Sequence, residues 1–124
     1  MSCNADWLVE VIEKVNHPRV KTLVDFDNFV FSEDFLWGDG GKVYNRYEGV
    51  RKLMPYAKAI SAKSYEFDIR GYETRVDYSR MMNIISEFDF EGYFSVEFEG
   101  TRHSEEEGIL ATKALIERES FDNE

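Results

Sequence analysis

The sequence is poor in cysteine and histidine and has no long apolar run. Its one cysteine, Cys3, has no partner for an internal disulfide, and its two histidines, His17 and His103, lie far apart along the chain. No apolar run approaches the roughly 20 residues that a membrane helix needs. The N-terminus lacks the basic segment and apolar run of a secretory signal. These absences predict a protein of the reducing cytoplasm, with no membrane partner.

Positive charge is also scarce. The 124 residues carry 25 acidic and 15 basic side chains, a formal net charge of −10. Because such a field repels phosphate backbones, we expect no nucleic-acid partner. What the chain does have is apolar material, with 43% hydrophobic and 15% aromatic residues. This is enough for one core, so residues 1–124 are expected to form a single domain.

Four amphipathic segments predict helices. They cover residues 5–16, 47–58, 78–88 and 104–118. Asn4 suits the N-cap of the first helix. Ser104 precedes Glu107 by three residues, which is the spacing of a capping box and predicts the start of the last helix.

Three segments that follow helices predict strands, the first of them β-branched. They cover residues 20–26, 59–65 and 92–100. Each follows a helix, so the order of elements is αβαβαβα. Strands that alternate with helices predict right-handed crossovers and a parallel sheet. The predicted fold class is therefore α/β, with three parallel strands and four helices.

Each predicted strand has one apolar and one polar face. Val24, Ile60 and Phe94 mark the face expected against the helices. The other face carries Lys21, Leu23, Asp25, Ser61, Lys63, Tyr65, Tyr93, Ser95, Glu97 and Glu99. A polar face of this kind suits the inside of a (βα)8 barrel, whose active site lies at the carboxyl ends of the strands. Since closure needs about eight strands, we expect the open face and edges to be covered by self-association into a homo-oligomer.

Four segments of the chain resemble a known family. They are LVDFDNF (23–29), RYEGVRKLMPYAKAISAKSYEFD (46–68), VDYSRMM (76–82) and GYFSVEFEGTRHSEEEGILATKALIER (92–118). In this order they resemble the C-terminal part of a sugar phosphate isomerase/epimerase of the xylose-isomerase-like TIM-barrel superfamily. The resemblance implies a partial TIM barrel that contains strands six, seven and eight.

The resemblance also implies a metal site and a reaction. Superfamily members generally hold a divalent metal with acids from the fifth, sixth and eighth strands and a histidine near the seventh. Asp25 and Glu97 match two of these metal ligands, and Mn²⁺ or Mg²⁺ is the implied ion, with Zn²⁺ as a further option. The implied reaction moves a proton next to a sugar carbonyl, with Glu97 as ligand or base and Lys63 as the electrophilic or orienting group.

The sequence departs from the family pattern at three places. The fifth-strand glutamate would lie before Met1, Ser61 stands where many relatives have the histidine, and Asp27 stands where a glycine is usual. A site with two of four ligands is expected to bind metal poorly.

Three further residues are predicted to bind substrate, a sugar or sugar phosphate. Asn28 suits a sugar hydroxyl but is equally explained as a turn former. Arg70 suits an anionic or hydroxylated ligand, although a surface ion pair explains it as well. Glu99 suits substrate binding or a solvated loop. The long, aromatic-rich connection 29–49 is interpreted as a lid or as a plain loop.

Two functions remain open from the sequence. The first is a metal-dependent sugar isomerase or epimerase, incomplete and weakly active or inactive as this chain. The second is a non-catalytic oligomeric scaffold or small-ligand-binding remnant of a TIM barrel.

Overall fold

The computed structural model describes residues 3–30 and 44–121. Helices and strands alternate in the predicted order. They are α1 (Ala5–Val15), β1 (Thr22–Asp25), α2 (Arg46–Leu53), β2 (Ala57–Ser64), α3 (Tyr78–Ser86), β3 (Tyr93–Phe98) and α4 (Glu105–Phe121). The predicted lid lies largely outside the described residues. None of the helices in the described ranges has the length and apolar character to cross a bilayer.

The three strands form one parallel sheet in the order β1-β2-β3, with β2 in the centre. Asp25 of β1 is opposite Ser61 of β2. On the other side of β2, Lys63 is opposite Glu97 of β3. The predicted parallel α/β architecture is confirmed. This register brings the carboxyl ends of all three strands to the same edge of the sheet.

Side-chain caps explain where the helices begin. Asn4 accepts a hydrogen bond from the first turn of α1, as predicted, and Asn45 and Asp77 do the same for α2 and α3. At α4, the Ser104 hydroxyl accepts from the Glu107 backbone N–H at 3.3 Å, and the Glu107 carboxylate accepts from the Ser104 N–H at 2.9 Å. The predicted capping box is confirmed.

The prediction of a helix at 47–58 is wrong in its second half. α2 ends at Leu53, a 3-10 turn of three residues contains Pro55, and β2 begins at Ala57. Proline fits the first turn of a helix but not its interior, because its ring clashes with the preceding turn and it lacks an N–H. The chain therefore turns at Pro55 and enters β2 two residues earlier than predicted. Other predicted ends also move: β1 and β3 are shorter than 20–26 and 92–100, α3 ends at Ser86, and α4 continues to Phe121.

The core lies between the helices and one face of the sheet. Val24, Phe26, Ile60 and Ala62 are fully buried there, as is Met81 of α3. This is the apolar face that the alternation of the strands predicts. The opposite face is open at its amino-terminal end, where Leu23 is 62% and Tyr93 is 87% exposed.

Candidate functional site

The Lys63 side chain, on the central strand β2, lies among oxygen atoms from the ends of the two outer strands, β1 and β3. Its Nζ is 3.3 Å from Glu97 Oε1, 3.5 Å from Glu99 Oε1 and 3.6 Å from Asp25 Oδ2. It also donates a 3.0 Å hydrogen bond to Asn28 Oδ1. The lysine side chain is only 6% exposed. We call Asp25, Asn28, Lys63, Glu97 and Glu99 the lysine cluster.

Neighbouring donors fix two of the carboxylates of the lysine cluster. Asp25 Oδ1 accepts the backbone N–H groups of Asp27 at 2.8 Å and Asn28 at 3.0 Å. Glu97 Oε2 accepts the Ser61 hydroxyl at 2.6 Å. Each carboxylate therefore turns one oxygen to a protein donor and the other to Lys63. This arrangement depends on the turn after β1 and on the strand register.

The pKa shifts follow from burial and from these partners. Burial raises the pKa of Asp25, against the opposing effect of the Asp27 N–H and of Lys63. Burial acts to lower the pKa of Lys63, but the surrounding carboxylates outweigh it and the pKa is raised. The Ser61 hydroxyl lowers the pKa of Glu97, with a further contribution from Lys63. At neutral pH the cluster therefore holds a protonated lysine beside ionised Glu97.

A divalent metal does not fit the lysine cluster as its residues are arranged. Such an ion needs oxygen ligands directed at one open position, at about 2.0–2.6 Å. The position between Asp25 and Glu97 holds the Lys63 ammonium group, which repels a second cation. Across residues 3–30 and 44–121, no three acidic, histidine or cysteine side chains are grouped to hold a metal. The two predicted metal ligands are thus brought together, but around an ammonium group.

Arg70, a predicted substrate contact, lies apart from the lysine cluster. Its guanidinium pairs with Asp68 at 3.5 Å, lies over the ring of Tyr72 and is 75% exposed. Asp68 also accepts the N–H groups of Arg70 and Tyr72, and Gly71 adopts a positive φ of 80°. A tight local turn therefore sets the direction of Arg70. Within the described residues, its contacts lie in this loop and with Arg118 of α4.

Asp27 has a structural environment that the sequence interpretation missed. Its carboxylate, 3% exposed, pairs with Arg46 at 3.0 Å and with Arg75 at 3.8 Å. The Arg75 guanidinium lies 3.7 Å from the ring centre of Tyr65. These partners come from distant parts of the chain, so local sequence offers no signal for them beyond an acid at a strand end. Asp27 thereby ties the loop after β1 to the loop after β2.

Glu73 is a second buried acid that the sequence interpretation missed. Its Oε1 accepts the backbone N–H groups of Tyr65 at 3.0 Å and Glu66 at 3.2 Å. Its Oε2 accepts those of Arg75, at 2.6 Å, and Val76. Glu73 thus holds both ends of the loop between β2 and α3, which explains how this loop keeps a defined shape beside the cluster.

The chain resembles a solved structure of known fold. The match is to a Xylose isomerase domain protein from Planctomyces limnophilus, with 19% sequence identity and a TM-score of 0.59. It covers 94% of this chain and 42% of that one. The fold is part of a TIM barrel. At this identity the likeness concerns the fold, and this partial barrel spans less than half of the matched chain.

Comparison of the sequence with families and curated proteins finds no relative. Neither a protein-family model nor a curated protein matches the chain. In TIM barrels, active sites lie at the carboxyl ends of the strands. The lysine cluster occupies that end of β1, β2 and β3.

Proposed function

We propose that this partial barrel belongs to a sugar isomerase or epimerase and that the lysine cluster binds the sugar. The observation that supports this is Lys63, held within 3.3–3.6 Å of three carboxylates that come from the ends of β1 and β3. Charged and hydrogen-bonding groups that converge at the mouth of a TIM barrel are the usual means of holding a polar substrate there. A sugar or sugar phosphate is the proposed ligand, in a reducing cytoplasm.

The proposed reaction moves a proton between carbons next to a carbonyl. Glu97 is the proposed base, because its side chain is 40% exposed and its lowered pKa keeps it ionised. Lys63 would donate a hydrogen bond to the carbonyl oxygen as negative charge develops there. Asn28 and Glu99 would bind sugar hydroxyls, and Arg70 would meet a phosphate that extends towards its loop.

Hydrogen exchange tests this function without knowledge of the natural sugar. The 124-residue chain is incubated with aldoses, ketoses and their phosphates in D₂O, and NMR detects deuterium at the carbon next to the carbonyl. We expect exchange with at least one sugar, slowed about 100-fold or more in Glu97→Gln because the base is lost.

Lys58→Met is the matched control for Lys63→Met in this experiment. Lys58 is an exposed lysine on the same strand, so its loss should leave exchange unchanged, whereas loss of Lys63 should abolish it. Circular dichroism would verify that each variant is folded. Exchange that is absent with every sugar, or equal in wild type and Glu97→Gln, would contradict the proposal.

A non-catalytic role is the second candidate. It is favoured by one observation: the protein's own carboxylates already surround the Lys63 charge, so no ligand is needed to pair with it. Under this alternative, no deuterium enters any sugar. Sugars would shift the NMR signals of the cluster if it binds small ligands, and would leave them unchanged if the chain is a scaffold. The same experiment therefore separates a small-ligand binder or scaffold from an enzyme.

A further inference from the structure

We infer that Lys63 is a built-in cation that takes the place of a divalent metal in this partial barrel, so that the lysine cluster works without metal. The inference deepens the proposed function and rests on it for the identity of the ligand. The exclusion of metal itself is a property of the folded chain and is measured without turnover.

The oxygen atoms around Lys63 converge on its ammonium group. Four of them, from Asp25, Asn28, Glu97 and Glu99, lie 3.0–3.6 Å from its Nζ. Oxygen donors that converge on one point are what a hard divalent cation requires. Here the point is taken by an ammonium group, which lies within ion-pair distance of all three carboxylates.

Moving the Lys63 ammonium group out of this position would cost free energy. It lies on the central strand, and the Tyr78 hydroxyl donates a 2.9 Å hydrogen bond to its backbone carbonyl. The side chain is only 6% exposed. Another rotamer would separate the ammonium group from its three carboxylate partners. An incoming metal would have to displace a charge that the fold holds in place.

Ser61 completes this arrangement. A hydroxyl is a weak metal ligand compared with an imidazole, and the Ser61 hydroxyl instead donates to Glu97 Oε2 at 2.6 Å. The Asp25 oxygen that does not face Lys63 is likewise occupied by two backbone N–H groups. Both acids are therefore arranged for one monovalent partner.

Titration with Mn²⁺, followed by electron paramagnetic resonance, tests the inference. The unaltered chain and the control Lys58→Met should show no Mn²⁺ at the lysine cluster. Lys63→Met should gain one Mn²⁺ per chain, with an affinity at least about tenfold higher, because three carboxylates lose their internal counter-ion. Stoichiometric Mn²⁺ binding by the unaltered chain that Glu97→Gln removes, or no gain in folded Lys63→Met, would overturn it.

A measurement on the unaltered chain covers the case in which Lys63→Met does not fold. Mn²⁺ broadens the NMR signals of nearby amides, so the amides of Ser61 and Lys63 report on the cluster, and those of the exposed acids Glu105 and Glu106 report on surface binding. We expect the α4 amides to broaden first. Earlier broadening at Ser61 and Lys63 would overturn the inference.

The two proposals fail in different ways. If no sugar undergoes exchange while Lys63→Met gains Mn²⁺, the proposed function is wrong and the inference about Lys63 stands. If exchange is observed and requires added Mn²⁺, the proposed function stands and the built-in cation is wrong.

Discussion

At Gly100, the segment after β3 comes very close to the backbone of the segment after β2, beside the lysine cluster. It directly follows Glu99, whose N–H donates a 2.9 Å hydrogen bond to the Ser64 carbonyl. A Cβ atom at Gly100 would lie 1.7 Å from the carbonyl oxygen of Tyr65 and 2.5 Å from the ring of Phe98. Only glycine permits this approach, and the approach keeps Glu99 beside Lys63.

We therefore expect Gly100→Ala to destabilise the fold by about 1–3 kcal/mol, since a backbone oxygen cannot move aside as a flexible side chain does. The free energy of unfolding in urea would measure this. Ser95→Ala, on the exposed side of β3, is the control and should change it by less than about 0.5 kcal/mol. Equal stability of both variants would show that the chain can relax around Gly100.

The starts of α1 and α4 were predictable from local sequence because caps act over three or four residues. Asn4 and the Ser104–Glu107 pair were correctly predicted on that basis. The end of α2 was not, because the apolar spacing of residues 47–58 continues past Leu53 while Pro55 stops the helix. Periodicity and backbone chemistry disagree there, and the backbone decides the structure.

The capping box of α4 makes part of its stability depend on pH. Hydrogen bonds from the Ser104 N–H and hydroxyl lower the pKa of Glu107. A lowered pKa in the folded state means that the stabilisation is present above the unfolded pKa and is lost as the pH falls through the folded one. We expect Glu107→Gln to lower the melting temperature at neutral pH, and the difference from wild type to shrink as the pH falls below the ordinary glutamate pKa of about 4.3.

Glu105→Gln is the control for the capping prediction, because it removes an acid from the same helix end without touching Ser104. Thermal unfolding followed by circular dichroism would compare the three proteins across this pH range. A deficit in Glu107→Gln that is unchanged at acid pH, or matched by Glu105→Gln, would contradict the capping explanation.

At the scale of the whole molecule, the open sheet face is the unusual feature. Within the described residues, β1 and β3 each pair on one side only, and Leu23 and Tyr93 expose apolar surface on the face away from the helices. Unpaired strand edges and exposed apolar side chains favour association. We propose that a second copy of this chain covers them.

Sedimentation of the chain at increasing concentration tests self-association. We expect the mean mass to rise with concentration in wild type and to stay monomeric in the double variant Leu23→Lys, Tyr93→Glu. Ile69→Lys is the control, because Ile69 is fully exposed in the loop after β2 and should leave association unchanged. A compact monomer at all concentrations would contradict the proposal.

The sequence by itself determined the alternation of helices and strands, the parallel sheet and the common face of Asp25, Lys63 and Glu97. These features depend on periods of about 3.6 and two residues and on caps, which neighbouring residues specify. Only the tertiary structure decided that three acids meet at Lys63, that Arg70 pairs with Asp68 in its own loop and that Asp27 is bound by two arginines. Those contacts depend on strand register and loop path, which distant residues set together through packing.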